Sequence, residues 1–316
     1  MPPKPELLTV AKLAPFLMQP LQAAFTVHER LHEGDAAAFA RVAPHIRAIC
    51  GSGESKVSAE LMAQLPALEI VSIMGVGYDG VDVAAAKARG VMVAHTPDVL
   101  NDDVADLALA LMLNIARRIP QADQYVRQGK WTAGPMPLAR KMSGARLGLV
   151  GMGRIGQAIA DRARAFGMAI AYTARSAKPS LPYAFHATPR ALAAASDFLV
   201  IITPGGAATR KLIDAEVLRA LGPEGYLINV ARGSVVDEAA LIEALQKGTI
   251  AGAGLDVFEN EPNVPEALRA LDNVVLVPHI GSATVQTRHA MAARAFANLE
   301  AHFAGQPLPS AVPECR

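Results

Sequence analysis

The most constraining stretch of the chain is residues 146–156, RLGLVGMGRIG. An apolar run of strand character ends at Gly151. Gly153 and Gly156 follow directly, ahead of a helical pattern whose apolar positions include Ile155, Ile159 and Ala163. Each glycine has its own task in a strand–loop–helix unit. The first permits a tight turn, the second lets backbone approach a pyrophosphate, and the third lets helix and strand pack closely. The helix N-terminus then offers unpaired N–H groups to an anion. A chain with this unit at its middle is expected to fold around a parallel sheet and to bind a dinucleotide there.

The rest of the sequence keeps the same rhythm, with short apolar runs alternating with helical patterns as βαβ units require. Ahead of the glycine loop the expected strands are Leu7–Val10, Phe25–Val27, Ile46–Cys50, Ile70–Met74 and Val91–Ala94. Between the last two, a helix is marked by Asp82 as N-cap and Gly90 as stop. This series reads as a small doubly wound domain of the flavodoxin type. A long helical segment, Asp102 to Arg118, leads into a second series: Arg146–Val150, Met168–Thr173, Phe198–Ile202, Tyr226–Val230, Ala251–Val257 and Val274–Val277. Thr188-Pro189 opens a helix within it, and Asp237 to Gly248 brackets another. These six strands match the two mononucleotide-binding halves of a Rossmann domain, a count complete at Val277. A helix from about Thr284 to Ala304 therefore returns to the first domain. The expected fold is α/β, a Rossmann dinucleotide-binding domain (residues 99–283) inserted into a smaller flavodoxin-like α/β domain made of residues 1–98 and 284–316.

Composition narrows the function classes. Of 316 residues, 52% are hydrophobic and 19% charged, which excludes a disordered chain. The net charge of +1, without a long single-sign run, argues against a nucleic-acid partner. Cys50 and Cys315 are too few for a disulfide framework or a cysteine zinc site. The N-terminal MPPKPELLTV lacks the basic start and apolar core of a signal peptide. The longest nearly apolar stretch, Leu107–Ala116, is too short to span a bilayer. A cytoplasmic protein without membrane contact is expected. Asp102 and Asp103 suit the first turn of the long helix, where carboxylates offset its dipole, and no metal site is expected there or elsewhere.

The end of the second Rossmann strand bears on which dinucleotide binds. An NAD site wants an acidic residue there to hold the ribose 2′-hydroxyl. This chain has Thr173, Ala174, Arg175 and Ser176 instead, with Lys178 close by and no acidic residue between Asp161 and Asp197. A guanidinium with a hydroxyl suits a 2′-phosphate, so NADPH is expected over NADH.

Three polar clusters fall at the carboxyl ends of later strands, the edge where open α/β sheets bind ligands. They are NVARG with Arg232, LDVFENEP with Asp256 and Glu261, and PHIGSAT with His279. Arginine can hold a carboxylate and polarise the adjacent ketone. Histidine can deliver a proton as hydride arrives. A carboxylate on the imidazole favours its protonated form. Together these residues suit carbonyl reduction.

These residues carry a resemblance. Over essentially its full length the chain resembles the D-isomer-specific 2-hydroxyacid dehydrogenases, through VGYDGVD (76–82), TPDVLNDDVADLAL (96–109), GMGRIG (151–156), NVARGSVVDEAAL (229–241), GLDVFENEP (254–262) and PHIGSAT (278–284). ARS (174–176), LGPEGYLIN (221–229) and FENEPNVP (258–265) point to the NADPH-using glyoxylate/hydroxypyruvate and hydroxyphenylpyruvate reductases within that family.

The resemblance implies roles residue by residue. Arg232 would bind the 2-oxoacid carboxylate and ketone oxygen, His279 would donate the proton, and Glu261 would orient His279. Val76 and Gly77 would offer backbone N–H groups to the substrate carboxylate. Cofactor contacts would come from Gly151, Met152, Gly153, Arg154, Ile155 and Gly156 around the pyrophosphate, and from Ala174, Arg175 and Ser176 around the adenosine. Val230, Ala231, Arg232, Asp256, His279 and Gly281 would contact the cofactor from the later loops, Asp256 on its nicotinamide side. It also implies a substrate held between the two domains and a homodimer built partly by the arm around Trp131. The sequence leaves two other functions open: a nucleotide-sensing corepressor-like protein on the same fold, and a formate dehydrogenase-like enzyme.

Overall fold

The computed structural model describes residues 3–315. The chain divides into two compact units, one running to Leu100 and resuming at Thr284, the other spanning Asn101–Ala283.

In the first unit, β1 (Glu6–Thr9), β2 (Thr26–Glu29), β3 (Ile46–Ser52), β4 (Ile70–Met74) and β5 (Met92–Ala94) form one sheet. Its order is β2-β1-β3-β4-β5 with every pair parallel, the flavodoxin order. β4, IVSIM, is buried along its whole length, as a central parallel strand covered on both faces must be. Leu8, Ile49, Val71 and Ile73 build the core on one side. The helix Val83–Ala88 starts where Asp82 accepts the Ala85 N–H at 2.9 Å. The helix Val285–Phe303 packs in this unit, and Ser72 Oγ on β4 donates to its Ala295 carbonyl at 2.9 Å. After that helix the chain returns to the sheet, with Ala311 bridging Ala94 antiparallel.

The second unit holds β6 (Arg146–Val150), β7 (Ala169–Thr173), β8 (Ala184–Phe185), β9 (Phe198–Ile201), β10 (Tyr226–Asn229), β11 (Gly252–Leu255) and β12 (Val274–Leu276). Their order, β12-β11-β10-β9-β6-β7-β8, is the Rossmann arrangement with one further parallel strand at an edge. The expected count of six needs correcting to seven. The strand overlooked is β8, two exposed residues at the sheet edge that carry no buried apolar run. β12 is thus the additional edge strand and not the sixth of the two halves. A second helix, Ile119–Arg127, follows the long Asn101–Arg117 helix and has no buried residue to mark it. Asp102 and Asp106 on the long helix both accept from Arg162 on the Arg154–Ala165 helix, so these carboxylates join two helices. Among the described residues, no helix is long and apolar enough to cross a membrane.

Because all these strands run parallel, their carboxyl ends lie along one edge of the sheet. That edge carries Gly151, Thr173, Asn229, Asp256 and Val277, and the site residues follow them.

Candidate active site

The glycine turn has the shape a pyrophosphate needs. Gly151 leaves β6 with φ +110°, and a Cβ there would lie 2.7 Å from the Ile202 carbonyl oxygen. A Cβ on Gly156 would lie 2.5 Å from the Gly151 oxygen, so both positions admit only glycine without backbone movement. Gly153 differs: nothing lies within 4 Å of where its Cβ would be. It caps the Arg154–Ala165 helix without a side-chain hydrogen bond. Open space at Gly153, beside a helix N-terminus, leaves room for a phosphate to approach the backbone. The residues present therefore fit a dinucleotide.

Arg175 and Ser176 are exposed just beyond β7, and Thr173 is buried at its end. The Gly151 N–H donates to the Thr173 carbonyl at 2.9 Å. Lys178 Nζ donates to the Met152 carbonyl at 2.6 Å, and the Lys178 N–H donates to the Tyr172 hydroxyl at 2.6 Å. The Arg175–Ser176 segment is thus tied at both ends to the glycine turn and its sheet. The role of Lys178 in this tie follows from no spacing in the sequence.

The loop after β10 is braced by Asn229, whose side chain accepts from the Ala231 N–H at 3.1 Å and donates to the Arg232 carbonyl at 3.0 Å. Arg232 is part-buried, and its Nη1 donates to the Ala231 carbonyl at 2.8 Å. Gly233 then meets the next loop: a Cβ there would sit 1.9 Å from the Phe258 carbonyl carbon. This backbone-to-backbone approach sets the Arg232 loop against the Phe258–Glu261 turn. Gly233 was legible only as part of the NVARG motif, and its packing task was not.

Asp256, 2% exposed, accepts from the Ile280 and Gly281 N–H groups at 2.6 and 2.9 Å. Burial pushes its carboxyl above its ordinary range, against those amides and the His279 charge. The structure thus gives Asp256 a task within the protein itself, holding the turn that carries His279. The His279 N–H in turn donates to the Asp256 carbonyl at 2.9 Å, and His279 stands in the left-handed region at φ +52°. A non-glycine residue keeps that conformation only where its surroundings hold it.

Glu261 joins the clusters. One oxygen accepts from the Phe258 N–H at 2.9 Å, and the other meets His279 Nδ1 at 2.7 Å. Burial alone would push this carboxyl up. The hydrogen bonds from His279 and Phe258, with the His279 and Arg232 charges nearby, hold it below the usual carboxylate range. An ionised carboxylate only accepts, so Nδ1 carries the proton in this bond.

In the other unit, Val76 and Gly77 follow β4 on a part-buried loop. A Cβ on Gly75 would lie 2.8 Å from Gly53 Cα, so this loop packs backbone against backbone on the 51–54 loop.

Comparison with known proteins places the chain in a family. Residues 109–281 match the family model for the D-isomer specific 2-hydroxyacid dehydrogenase, NAD binding domain. Hydroxyphenylpyruvate reductase of Plectranthus scutellarioides is 52% identical over 266 residues, 84% of this chain and 85% of that protein. 2-Ketogluconate reductase of Gluconobacter oxydans is 44% identical over 96% of this chain and 97% of its own length. The crystal structure of the NADPH-dependent glyoxylate/hydroxypyruvate reductase of Sinorhizobium meliloti, in complex with NADP and malonate, superposes with a TM-score of 0.93. That protein is 48% identical, over 99% of this chain and 98% of its own. The chain belongs to the D-isomer specific 2-hydroxyacid dehydrogenase family.

Proposed function

We propose that this protein is an NADPH-dependent reductase that converts a small 2-oxoacid of the glyoxylate or hydroxypyruvate type into the D-2-hydroxyacid. The bond between Glu261 and His279 Nδ1 at 2.7 Å carries the reading, because it leaves a proton-bearing imidazole beside an arginine at a dinucleotide fold's binding edge. Bound NADPH supplies the hydride to the carbonyl carbon. His279 delivers a proton from Nε2 to the ketone oxygen as charge develops there. Glu261 keeps Nδ1 protonated and stabilises the imidazolium before transfer. Arg232 pairs with the substrate carboxylate and draws electron density from the ketone. The Val76 and Gly77 N–H groups hold the carboxylate.

In this reading Asn101–Ala283 holds the cofactor and the other unit the substrate. Gly151, Met152, Gly153, Arg154, Ile155 and Gly156 line the pyrophosphate, Ala174, Arg175 and Ser176 the 2′-phosphate, and Val230, Ala231, Arg232, Asp256, His279 and Gly281 contact the cofactor from the later loops, Asp256 on its nicotinamide side. The absence of an acidic residue just after β7 supports NADPH over NADH, as does the NADP bound in the Sinorhizobium structure. A cytoplasmic homodimer belongs to the same proposal. Trp131 and Leu138, 68% and 100% exposed on the arm after the Ile119–Arg127 helix, support a partner surface there. Light scattering at twice the chain mass is expected, and a monomer would contradict it.

One assay tests the function: NADPH and NADH oxidation with glyoxylate, hydroxypyruvate, phenylpyruvate and 2-ketogluconate, beside formate with NAD. NADPH-linked turnover of a 2-oxoacid is expected. NADPH binding without turnover, or formate oxidation, would overturn the proposal in favour of a sensor or a formate dehydrogenase.

A further inference from the structure

We infer that His95 is a positioning residue for the substrate carboxylate, acting by fixing the direction in which two backbone N–H groups point. The inference rests on the proposed reading that Val76 and Gly77 hold that carboxylate. In a trans peptide the C=O and the following N–H point in opposite directions. Aiming an N–H therefore means holding the carbonyl of the same peptide. The Gly75 carbonyl, which shares a peptide with the Val76 N–H, accepts from the Thr96 N–H at 2.8 Å. The Val76 carbonyl, which shares a peptide with the Gly77 N–H, meets His95 Nδ1 at 3.0 Å. Two consecutive residues, His95 and Thr96, thus hold two consecutive carbonyls on one side. Both N–H groups face the other way, and among the described residues neither donates to the protein. Two adjacent N–H groups presented together form an anion-binding nest.

A carbonyl only accepts, so His95 Nδ1 is the donor in that bond. The ring is 8% exposed and lies edge-on to Tyr78 at 5.2 Å. Its backbone is held as firmly. The His95 N–H donates to the Ser310 carbonyl at 3.1 Å, and the His95 carbonyl accepts from Ser310 Oγ at 2.7 Å and Asn298 Nδ2 at 3.3 Å. Tyr78 donates to Glu314 in the last turn at 3.2 Å. The chain after the Val285–Phe303 helix therefore anchors the far side of the loop. Nothing in the proposed hydride and proton transfer uses His95, so its effect falls on substrate binding.

The test compares His95→Leu, which removes the donor, with His95→Asn, whose side-chain N–H can occupy nearly the Nδ1 position. His95→Leu should raise KM for the 2-oxoacid about three- to tenfold, the equivalent of one neutral hydrogen bond, with kcat and the fluorescence-titrated Kd for NADPH unchanged. His95→Asn should restore KM to near the wild-type value. A merely structural residue would move kcat and NADPH affinity together and gain nothing from asparagine. An unchanged KM in His95→Leu overturns the inference. Where the leucine variant does not fold, His95→Gln replaces it, since its N–H sits one carbon further out. Glutamine as good as asparagine then overturns the inference. Amide NMR of the wild type with oxalate as the probe separates this failure from failure of the underlying reading. If the Val76 and Gly77 amides do not shift, the loop is not the carboxylate site and both fall. If they shift at the same oxalate concentration in the wild type and His95→Leu, only the inference falls.

Discussion

Replacing Glu261 by glutamine should disable proton delivery while leaving the fold in place. Two N–H donors converge on its carboxylate, Phe258 N at 2.9 Å and His279 Nδ1 at 2.7 Å. Glutamine has the same shape but only one acceptor oxygen. Either one donor goes unmet, or the imidazole moves its proton to Nε2 and turns Nδ1 toward the new NH₂. Both outcomes remove a charge-assisted hydrogen bond, worth about 1.5–3 kcal/mol. If that bond serves the protonated imidazole, kcat/KM should fall about 10- to 150-fold, at about 1.4 kcal/mol per tenfold. The pH profile gives the sign. Reduction needs the protonated imidazole, so activity falls on the alkaline side, and without its anionic partner that fall should begin at lower pH. Stability should change in the opposite limb. A carboxyl held below its ordinary range contributes stability above that range, and the contribution is lost as pH falls through the depressed value. The difference in Tm between wild type and Glu261→Gln should therefore narrow from neutral pH toward acid. Steady-state NADPH oxidation across pH, with thermal unfolding in the same buffers, measures both. A variant within twofold of wild type, with an unmoved alkaline limb, would refute the assignment of Glu261.

Arg175→Ala should raise the Kd for NADPH about tenfold or more and leave NADH nearly unaffected, since a charge-assisted contact to a 2′-phosphate is lost. Equal kcat/KM for the two cofactors, unchanged by the mutation, would remove the role of Arg175. Gly233→Ala places a Cβ 1.9 Å from the Phe258 carbonyl carbon, so the backbone must move and Tm should drop by several degrees, with kcat falling too. A wild-type Tm and kcat would show that the two loops are not locked together. Cys50 is fully buried and its thiol is pushed up to about 12 by burial, whereas Cys315 is part-exposed. Iodoacetamide at pH 8 should label Cys315 alone in the native protein, and labelling of Cys50 would contradict its burial.

How much of this was legible before the structure depends on where the signal resides. The buried parallel strands announce themselves because both faces are covered and the apolar run is continuous. Ile70–Met74 and Arg146–Val150 match the expected bounds to the residue. β8 does not, since two exposed edge residues leave no pattern to read. Helix starts were readable where a side chain caps them, as Asp82, Thr188 and Asp237 do. The Ile119–Arg127 helix begins at Arg118 in the left-handed region without a side-chain cap, and it escaped. At the site, residue types at strand ends pointed to Arg232, Glu261 and His279, because the chemistry demands those types. The contacts that position them do not follow from type. Asn229 bracing its loop, Gly233 against Phe258, Lys178 on Met152 and His95 on Val76 are tertiary meetings between segments far apart or oddly turned in the chain. Only the folded backbone brings them together.

His279 is the proposed proton donor, and the most direct measurement of that role is single-turnover NADPH oxidation by His279→Ala with hydroxypyruvate, alongside a fluorescence titration of NADPH. The rate should fall by about 10²- to 10⁴-fold, the range for loss of a general acid, while NADPH binds as in the wild type. Turnover at the wild-type rate with the cofactor bound would contradict the account at its centre.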